Sequence, residues 1–211
     1  MKKLIGISGL IGSGKDTIAN HLITHHNYEK YSWARPLKDI TATLFGWDRD
    51  MLEGTTPESR TERDIPDEWW SSKMGKPWSP RYALQQLGTD VLRKNLHDDI
   101  WILAGMKHIE TMEYVVIPDT RFPNEIAAIK SMGGEVWHVH RGDFPEWWDR
   151  LSYFKKIYNP TPERVSNFMA IQYPSVHSSE YSWHGTEFDQ VISNDGTIDE
   201  LSTKVNSILP L

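Results

Sequence analysis

The sequence predicts a three-layer α/β fold with a parallel central sheet, and three observations support this prediction. Hydrophobic periodicity switches several times between strand-like and helix-like, as alternating β and α elements produce. The clearest strand, Tyr114 to Pro118, is apolar throughout, as expected of a strand covered on both faces. A glycine-rich loop, Gly9 to Gly14, joins the first strand to the first helix. Parallel strands connected by helices are the economical arrangement for this pattern.

The first part of the chain supplies two strands and two helices before its pattern breaks. The predicted elements are a strand over 4–8, a helix over 15–25, a strand over 28–34, and a helix after Pro36 that ends at Gly46. Residues 47 to 80 lack periodicity and are rich in charge, Trp, Pro and Gly, so we predict an irregular insertion there. Loops of this length in compact domains usually serve as lids or binding loops.

Regular structure resumes at Ser79-Pro80, where a serine N-cap precedes a proline in the first helical turn. This helix is predicted to continue to Leu92 despite Gly88 in its interior. The later predicted elements are a helix over 100–109, the strand at 114–118, a helix over 122–132, strands over 135–140 and 191–193, and a last helix that Thr197 and Glu200 begin as a capping box. Residues 141 to 186 form a second predicted irregular stretch.

Composition limits the classes of protein to which the chain can belong. Its 211 residues, 38% of them hydrophobic, suit one domain over residues 1–211 that carries both irregular stretches. The absence of cysteine excludes disulfides, thiol nucleophiles and Cys-based metal sites. A formal charge of −6 argues against broad binding to nucleic-acid backbones. No apolar run reaches membrane-spanning length, and the N-terminal one is too short for a signal peptide, so we expect a cytoplasmic protein.

The loop from Gly9 to Lys15 matches the pattern G-x-x-x-x-G-K of phosphate-binding loops. Its glycines let successive N–H groups face inward as an anion-binding nest, and the following helix adds its positive N-terminal end. Lys15 is then expected to reach the β- and γ-phosphates of a nucleoside triphosphate. Asp16 stands where Ser or Thr usually holds magnesium, and Thr17 comes one place later, so the direct metal ligand stays open. The alternative is a glycine-rich turn with a surface lysine.

Polar residues also follow the strand at 114–118. Asp119 and Arg121 come directly after it, at the carboxyl edge of a parallel sheet, where ligands of such folds bind. Arg121 has the geometry to grip a phosphate with two hydrogen bonds, and Asp119 to hold magnesium through water or to bind acceptor hydroxyls. Two alternatives stay open. Asp119 can instead cap the helix that starts near Phe122, and Glu125 can be an ordinary acid of its first turn.

Phosphoryl transfer needs positive charge around the transferred group, and several basic residues lie in or beside the irregular stretches. Those of the first stretch, expected to clamp an acceptor phosphate, are Arg35, Lys38, Arg60, Arg63 and Arg81. Those of the second, expected to close over a triphosphate as a lid, are Arg141, Arg150 and Arg164. For each of them singly except Arg81, whose position argues against it, the alternative is a solvated surface charge.

Four blocks of sequence resemble the phage deoxynucleoside monophosphate kinases. They are Ser8–Thr17, Ala34–Asp39, Leu84–Asp90 and Val116–Arg121, and the Lys-Asp-Thr variant of the phosphate loop is shared with that family. The resemblance implies a P-loop nucleotide kinase fold with a monophosphate-binding insertion near 47–80 and a lid near 141–186. It also implies transfer of the γ-phosphoryl group of ATP, with Mg²⁺, to a deoxynucleoside monophosphate for phage DNA synthesis.

The resemblance further implies the site, residue by residue. The residues implied for ATP and Mg²⁺ are Gly12, Gly14, Lys15, Asp16, Thr17, Arg141, Asn194, Gly196 and Thr197. Those implied for the acceptor nucleotide are Lys38, Arg60, Arg81, Gly88, Thr89, Trp101, Asp119, Arg121 and Glu125. Lys15, Arg81, Asp119 and Arg121 are expected to be catalytic, and Asp16 and Thr17 to be the metal ligands.

The expected partners are small nucleotides, with no membrane and no stable nucleic-acid complex, and a homodimer is left open. Two other functions compete with this one. The first is a kinase of the same fold that acts on another acceptor, such as a hydroxymethylated base in DNA. The second is a nucleotide-binding switch, which the lack of an Asn-Lys-x-Asp element disfavours.

Overall fold

Five parallel strands form one sheet in the order β2-β3-β1-β4-β5 in the computed structural model, which describes residues 3–209. The strands are β1 (Lys3–Ser8), β2 (Glu29–Lys30), β3 (Tyr114–Ile117), β4 (Glu135–His140) and β5 (Gln190–Ser193). Strand β1 is central, with Ile5 opposite Val116 of β3 on one side and Glu135 of β4 on the other. The glycine loop after β1 therefore leaves the middle of the sheet, and the loops after β3 and β4 leave on either side of it.

Helices connect these strands. They are α1 (Lys15–His26), α2 (Arg35–Phe45), α3 (Arg49–Glu53), α4 (Pro57–Glu62), α5 (Glu68–Met74), α6 (Pro80–Gln85), α7 (Ile100–Ile109), α8 (Pro123–Ser131), α9 (Glu146–Tyr158), α10 (Pro162–Gln172), α11 (Ser178–Tyr181) and α12 (Ile198–Ile208). A π-helix, Gln86–Arg93, continues α6. No helix among residues 3–209 combines the length and the apolar character needed to cross a bilayer.

The chain divides into two compact units, and the sheet lies in the first, which comprises the described residues up to Tyr31 and from Met112 onward. Ile5 and Ile7 of β1 join one buried cluster with Leu22 of α1 and Val205 of α12. The other face of β1 meets α8, because a Cβ atom at Gly6 would lie 2.5 Å from Ile129 Cδ1. Helices α1 and α12 thus cover one face and α8 the other. The predicted three-layer fold with a parallel sheet is confirmed.

The second unit, Ser32–Thr111, is entirely helical among its regular elements. Helix α6 begins as predicted, since the Ser79 side chain accepts a hydrogen bond from the Tyr82 amide and Pro80 occupies the first turn. Beyond it, the predicted continuous α-helix becomes the π-helix from Gln86 onward, which contains Gly88. The missing side chain lets Leu37 approach to within 2.7 Å of the ideal Cβ position, and Trp101 Nε1 donates to the Gly88 carbonyl at 2.9 Å.

Three sequence-based expectations about secondary structure were wrong. Residues 47–80 and 141–186 are not irregular, since they contain α3 to α5 and α9 to α11. The helices of the first stretch are short and begin at polar caps such as Thr56, so they carry no long apolar stripe to recognise. Strand β2 is only two residues long instead of 28–34. Its pairing with β3 ends at Tyr31, whose amide donates to the Val116 carbonyl at 3.0 Å, and Trp33 is buried outside the sheet.

Helices α9 to α11 build a small core of their own. Trp147 and Leu151 of α9 pack with Val165 and Met169 of α10 and with Tyr181 of α11. Full burial of such side chains stabilises a fold by about 1.5–3 kcal/mol each. In the sequence of these helices, charged residues separate the apolar ones, and many of the apolar residues are aromatic. The helical periodicity was therefore not recognised. This cluster fixes α11, which carries Glu180, an acidic residue that reaches the phosphate loop, as described next.

Candidate active site

The glycine loop after β1 has the backbone conformation that anion binding requires. Gly12 and Gly14 have φ angles of +78° and +104°, which residues that carry a side chain rarely adopt. A Cβ atom at Gly14 would also lie 2.3 Å from Asn194 Nδ2. Asn194, which follows β5, donates to the Ser13 carbonyl at 2.9 Å and so fastens the loop from the side. The structure therefore brings three of the predicted ATP residues together, namely Gly12, Gly14 and Asn194.

Lys15 is the first residue of α1 and is buried, with 8% of its surface exposed. Its Nζ atom donates to the carbonyls of Gly9 at 2.9 Å and of Leu10 at 2.7 Å. Burial, assisted by the neighbouring Arg121 guanidinium, lowers the pKa of Lys15 from 10.5 to about 8. The lysine therefore stands at the phosphate loop close to a second cation that comes from the loop after β3.

The turn that follows β3 is held rigidly by a buried carboxylate. Glu125, 2% exposed, accepts hydrogen bonds through Oε2 from the backbone amides of Arg121 at 2.7 Å and Phe122 at 3.0 Å. Thr120 Oγ1 donates to the Ile117 carbonyl at 3.2 Å. Glu125 thus has the role of a first-turn helix acid, which was one of its two predicted roles. Its predicted contact with an acceptor nucleotide stays a prediction.

We expect Glu125→Ala to lower the free energy of unfolding by about 1–3 kcal/mol, because two partly buried amides lose their acceptor. The matched control is Glu200→Ala, which removes the equivalent carboxylate of α12, bonded to the Thr197 amide at 2.7 Å but exposed. That variant should lose no more than about 1 kcal/mol. Chemical denaturation of both variants measures the difference. Equal losses in the free energy of unfolding would mean that the burial of Glu125 adds nothing to the stability of the fold.

The Arg121 guanidinium and the phosphate loop share one carboxylate, that of Glu180 in α11. Arg121 Nη1 donates to Glu180 Oε1 and, at 3.3 Å, to Ser179 Oγ. Glu180 Oε2 accepts from the Ile11 amide of the loop at 3.3 Å. Sequence reasoning left the role of Glu180 open, because 169 residues separate it from Ile11 and no local pattern links them.

A cleft of about 330 Å³ opens beside the phosphate loop. The loop residues 10–13 line one side and residues 140–145, which follow β4, line the other. This volume lies within the range of small-molecule sites. Arg141, predicted to contact ATP, is one of the lining residues. Across from it, Asp195 Oδ1 accepts from the Gly142 amide at 2.6 Å, so the segments after β4 and β5 are tied together.

The two remaining residues that were predicted to lie beside the adenine are at the start of α12. The Thr197 side chain accepts from the Glu200 amide, so it caps the helix. Gly196 lies against the Glu200 carboxylate, where an ideal Cβ atom would come within 1.9 Å of it. These two residues thus have structural contacts, and their predicted contact with adenine stays a prediction.

Oxygen donors suitable for Mg²⁺ surround the start of α1. Asp16, 64% exposed at its side chain, pairs with Lys30 Nζ at 2.9 Å, and Thr17 is half-buried beside it. The charges of Asp16 and Asp119 both act to raise the pKa of Lys15, which shows that these carboxylates lie near the ammonium. Within residues 3–209 no group of three His, Asp or Glu forms a ready-made metal site. A Mg²⁺ that completes its shell with phosphate oxygens and water needs only one or two protein oxygens, which this donor set supplies.

The other predicted acceptor residues lie in the second unit, where each has a partner of its own. Lys38 Nζ binds Glu53 Oε1 at 2.8 Å. Burial alone would raise the pKa of Glu53, but Lys38 and Arg49 lower it to about 2. Arg60 Nε donates to the Gly54 carbonyl at 2.9 Å, and Arg81 forms a two-point ion pair with Asp64.

Two further predicted acceptor residues touch each other. Trp101, 4% exposed, donates its indole N–H to Gly88, as described above, so its ring is part of the core. Thr89 follows in the same π-helix and is half-buried. π-Helical segments occur mostly as short interruptions of α-helices, frequently at functional sites. Position therefore favours a functional role for Gly88 and Thr89, and a supporting one for Trp101.

Known proteins resemble this chain at the level of sequence. Residues 47–150 match the family model of deoxynucleotide monophosphate kinase. A putative deoxynucleotide monophosphate kinase of Acanthamoeba polyphaga mimivirus is 34% identical over 154 residues, covering 65% of this chain and 74% of that protein. The deoxynucleotide monophosphate kinase of Enterobacteria phage T4 is 25% identical over 264 aligned positions, covering 98% of each chain. Among solved structures, shikimate kinase from Aquifex aeolicus aligns with a TM-score of 0.45 and 14% identity, covering 97% of this chain and 94% of that one.

Proposed function

Because the chain belongs to the deoxynucleotide monophosphate kinase family, we propose that it transfers the γ-phosphoryl group of ATP to a deoxynucleoside monophosphate, giving a deoxynucleoside diphosphate and ADP. One observation supports this activity above the others. Lys15 of the phosphate loop and Arg121 of the turn after β3 lie close together, since the Ile11 amide of that loop and Arg121 bind the same Glu180 carboxylate, and the charge of Arg121 lowers the pKa of Lys15. Two cationic side chains so close together suit a reaction in which a donor phosphate and an acceptor phosphate are brought into contact.

On the donor side, the loop amides and Lys15 bind the β- and γ-phosphates. Gly12, Gly14 and Asn194 keep the loop in its binding conformation. Arg141 and the cleft beside it accept the adenosine, with Gly196 and Thr197 at its edge. Asp16 and Thr17 would hold Mg²⁺ directly or through water, and the ion would supply further positive charge to the triphosphate.

On the acceptor side, Arg121 grips the monophosphate with two hydrogen bonds. Asp119 binds hydroxyl groups of the nucleotide, or would hold Mg²⁺ through water. Glu125 keeps this turn rigid. The other residues that the family resemblance implies for the acceptor nucleotide belong to the second unit. The resemblance alone assigns the basic residues of this unit to the acceptor phosphate and its π-helix to the nucleoside. These residues are Lys38, Arg60, Arg81, Gly88, Thr89 and Trp101.

The transfer is direct and in line, without a phosphoenzyme. The acceptor phosphate is already ionised at neutral pH, so the reaction needs no general base. What it needs is alignment of the two phosphates and positive charge on the oxygens of the transition state. Lys15 and Arg121 provide that charge in a site that is partly closed to water.

The lowered pKa of Lys15 predicts how ATP binding depends on pH. Only the protonated ammonium attracts phosphate, and burial brings its pKa down to about 8. Above that pH the protonated fraction falls, so the affinity for ATP should weaken by up to about tenfold per pH unit. Calorimetric titration of ATP between pH 7 and 9.5 measures this. An affinity that stays constant to pH 9.5 would contradict the assignment of Lys15.

A panel assay tests the proposed function. The protein is incubated with ATP, Mg²⁺ and, one at a time, each common and modified deoxynucleoside or ribonucleoside monophosphate, and the products are separated by thin-layer chromatography. We expect diphosphate from at least one deoxynucleoside monophosphate. Phosphorylation of hydroxymethylated duplex DNA alone would assign the other acceptor class. Slow ATP hydrolysis that no acceptor stimulates would indicate a nucleotide-binding switch.

A further inference from the structure

Glu180 is the acidic residue that links the phosphate loop to Arg121. Its two carboxylate oxygens bind different parts of the site, Oε2 the Ile11 amide and Oε1 the Arg121 guanidinium. Its side chain is only 17% exposed. The carboxylate therefore lies between the loop and the turn after β3, rather than behind either of them.

The surroundings of Glu180 are those of a bound phosphoryl group. A backbone amide of a phosphate loop and an arginine are the donors that phosphate oxygens prefer. The positive charge of Lys15 is also near, because the Glu180 carboxylate acts to raise the pKa of that lysine. Among the chain's own groups, a carboxylate is the anion that can accept hydrogen bonds from this amide and this arginine.

The backbone that carries Glu180 is anchored. Tyr181, the next residue, is 6% exposed and packs in the apolar cluster of α9 and α10. On the other side, Ser179 Oγ bonds to His177 Nδ1 at 3.0 Å and accepts from Arg121 Nη1 at 3.3 Å. Only the Glu180 side chain needs to rotate for the carboxylate to leave its position.

We propose that the Glu180 carboxylate occupies the place of the transferred phosphoryl group and thereby makes the site discriminate between ATP and ADP. The inference rests on the proposed function. The amides near Lys15, at the start of α1, cradle the inner phosphates. Arg121, which binds the acceptor phosphate, and the Ile11 amide then stand where the γ-phosphoryl group passes to the acceptor, because both donate to the Glu180 carboxylate. ATP must displace the carboxylate with its γ-phosphoryl group, and ADP need not. After transfer, the carboxylate regains both donors.

The test compares Glu180→Gln with a matched control, Glu187→Gln, which makes the same change at an exposed residue of the loop after α11. Calorimetry measures the binding of ADP and of the β,γ-imido analogue of ATP to each variant and to the unaltered protein. In Glu180→Gln the competing charge is gone, so the ATP analogue should bind about tenfold more tightly. The affinity for ADP should change less than about twofold. Glu187→Gln should change neither affinity.

The ADP titration doubles as a check that Glu180→Gln is folded. The same comparison with tripolyphosphate and pyrophosphate removes any contribution of the nucleoside, and tripolyphosphate alone should gain affinity. Equal changes for both nucleotides, or weaker binding of the ATP analogue, would overturn this inference and leave the proposed kinase activity intact. An unaltered protein that binds neither nucleotide would overturn both.

Discussion

Lys15→Ala is expected to lower kcat about 10³-fold, within the range for loss of a cation that stabilises the transition state of phosphoryl transfer. Lys15 combines burial at the first turn of α1 with proximity to Arg121. No other residue of the phosphate loop is basic, so nothing in the loop can replace its charge. A steady-state assay of diphosphate formation measures the loss.

The fold should survive this change. A pKa lowered to about 8 means that protonated Lys15 disfavours the folded state at neutral pH. The corresponding free energy is about 3 kcal/mol, and it disappears as the pH rises toward the unfolded-state pKa. The control is Lys156→Ala on the exposed side of α9, which should leave both activity and stability unchanged. Near-normal turnover of Lys15→Ala would remove the proposed mechanism.

Arg121→Lys is expected to lower kcat/KM for the deoxynucleoside monophosphate about 10²-fold, although the charge is kept. The guanidinium has a planar fork that binds a phosphate at two points, and a lysine ammonium binds as a single point charge. The backbone of residue 121 should stay in place because Glu125 holds its amide. Initial rates at varied monophosphate concentration measure the effect.

The matched control is Arg150→Lys. Arg150 lies in α9, is 68% exposed at its side chain and pairs only loosely with Glu146, at 3.5 Å. Surface pairs of this kind contribute little, so we expect normal kinetics of the control, which would assign Arg150 to the solvated surface and not to the predicted lid. If Arg121→Lys stayed within about twofold of normal while Lys15→Ala was inactive, Arg121 would belong to the structural frame and not to the acceptor site.

The sequence predicted best the elements that local signals define. Helix α7 and strand β4 have the predicted bounds, and the Thr197–Glu200 capping box begins α12 as expected. Each of these rests on an apolar run or a cap within about a dozen residues. The helices at 47–80 and 141–186 were missed because their apolar residues form a core only when several helices pack together.

The same distinction applies to the site. Lys15 and Arg121 were predicted from the residues just before and after them, namely a glycine loop and an apolar strand. Glu125 had two open roles, and only the geometry of its carboxylate assigned it to the turn after β3. Glu180 reaches the site through tertiary packing of α9 to α11. No spacing in the sequence encodes that contact.

The most direct test of direct transfer between the two phosphates is a single-turnover reaction with γ-³²P-labelled ATP, Mg²⁺ and an accepted deoxynucleoside monophosphate. The protein is in excess, and the label is followed after rapid quenching. We expect all of the label to pass from ATP to the β-position of the deoxynucleoside diphosphate, with one ADP formed for each. Label retained covalently on the protein, or released as inorganic phosphate in the presence of the acceptor, would contradict direct transfer at this site.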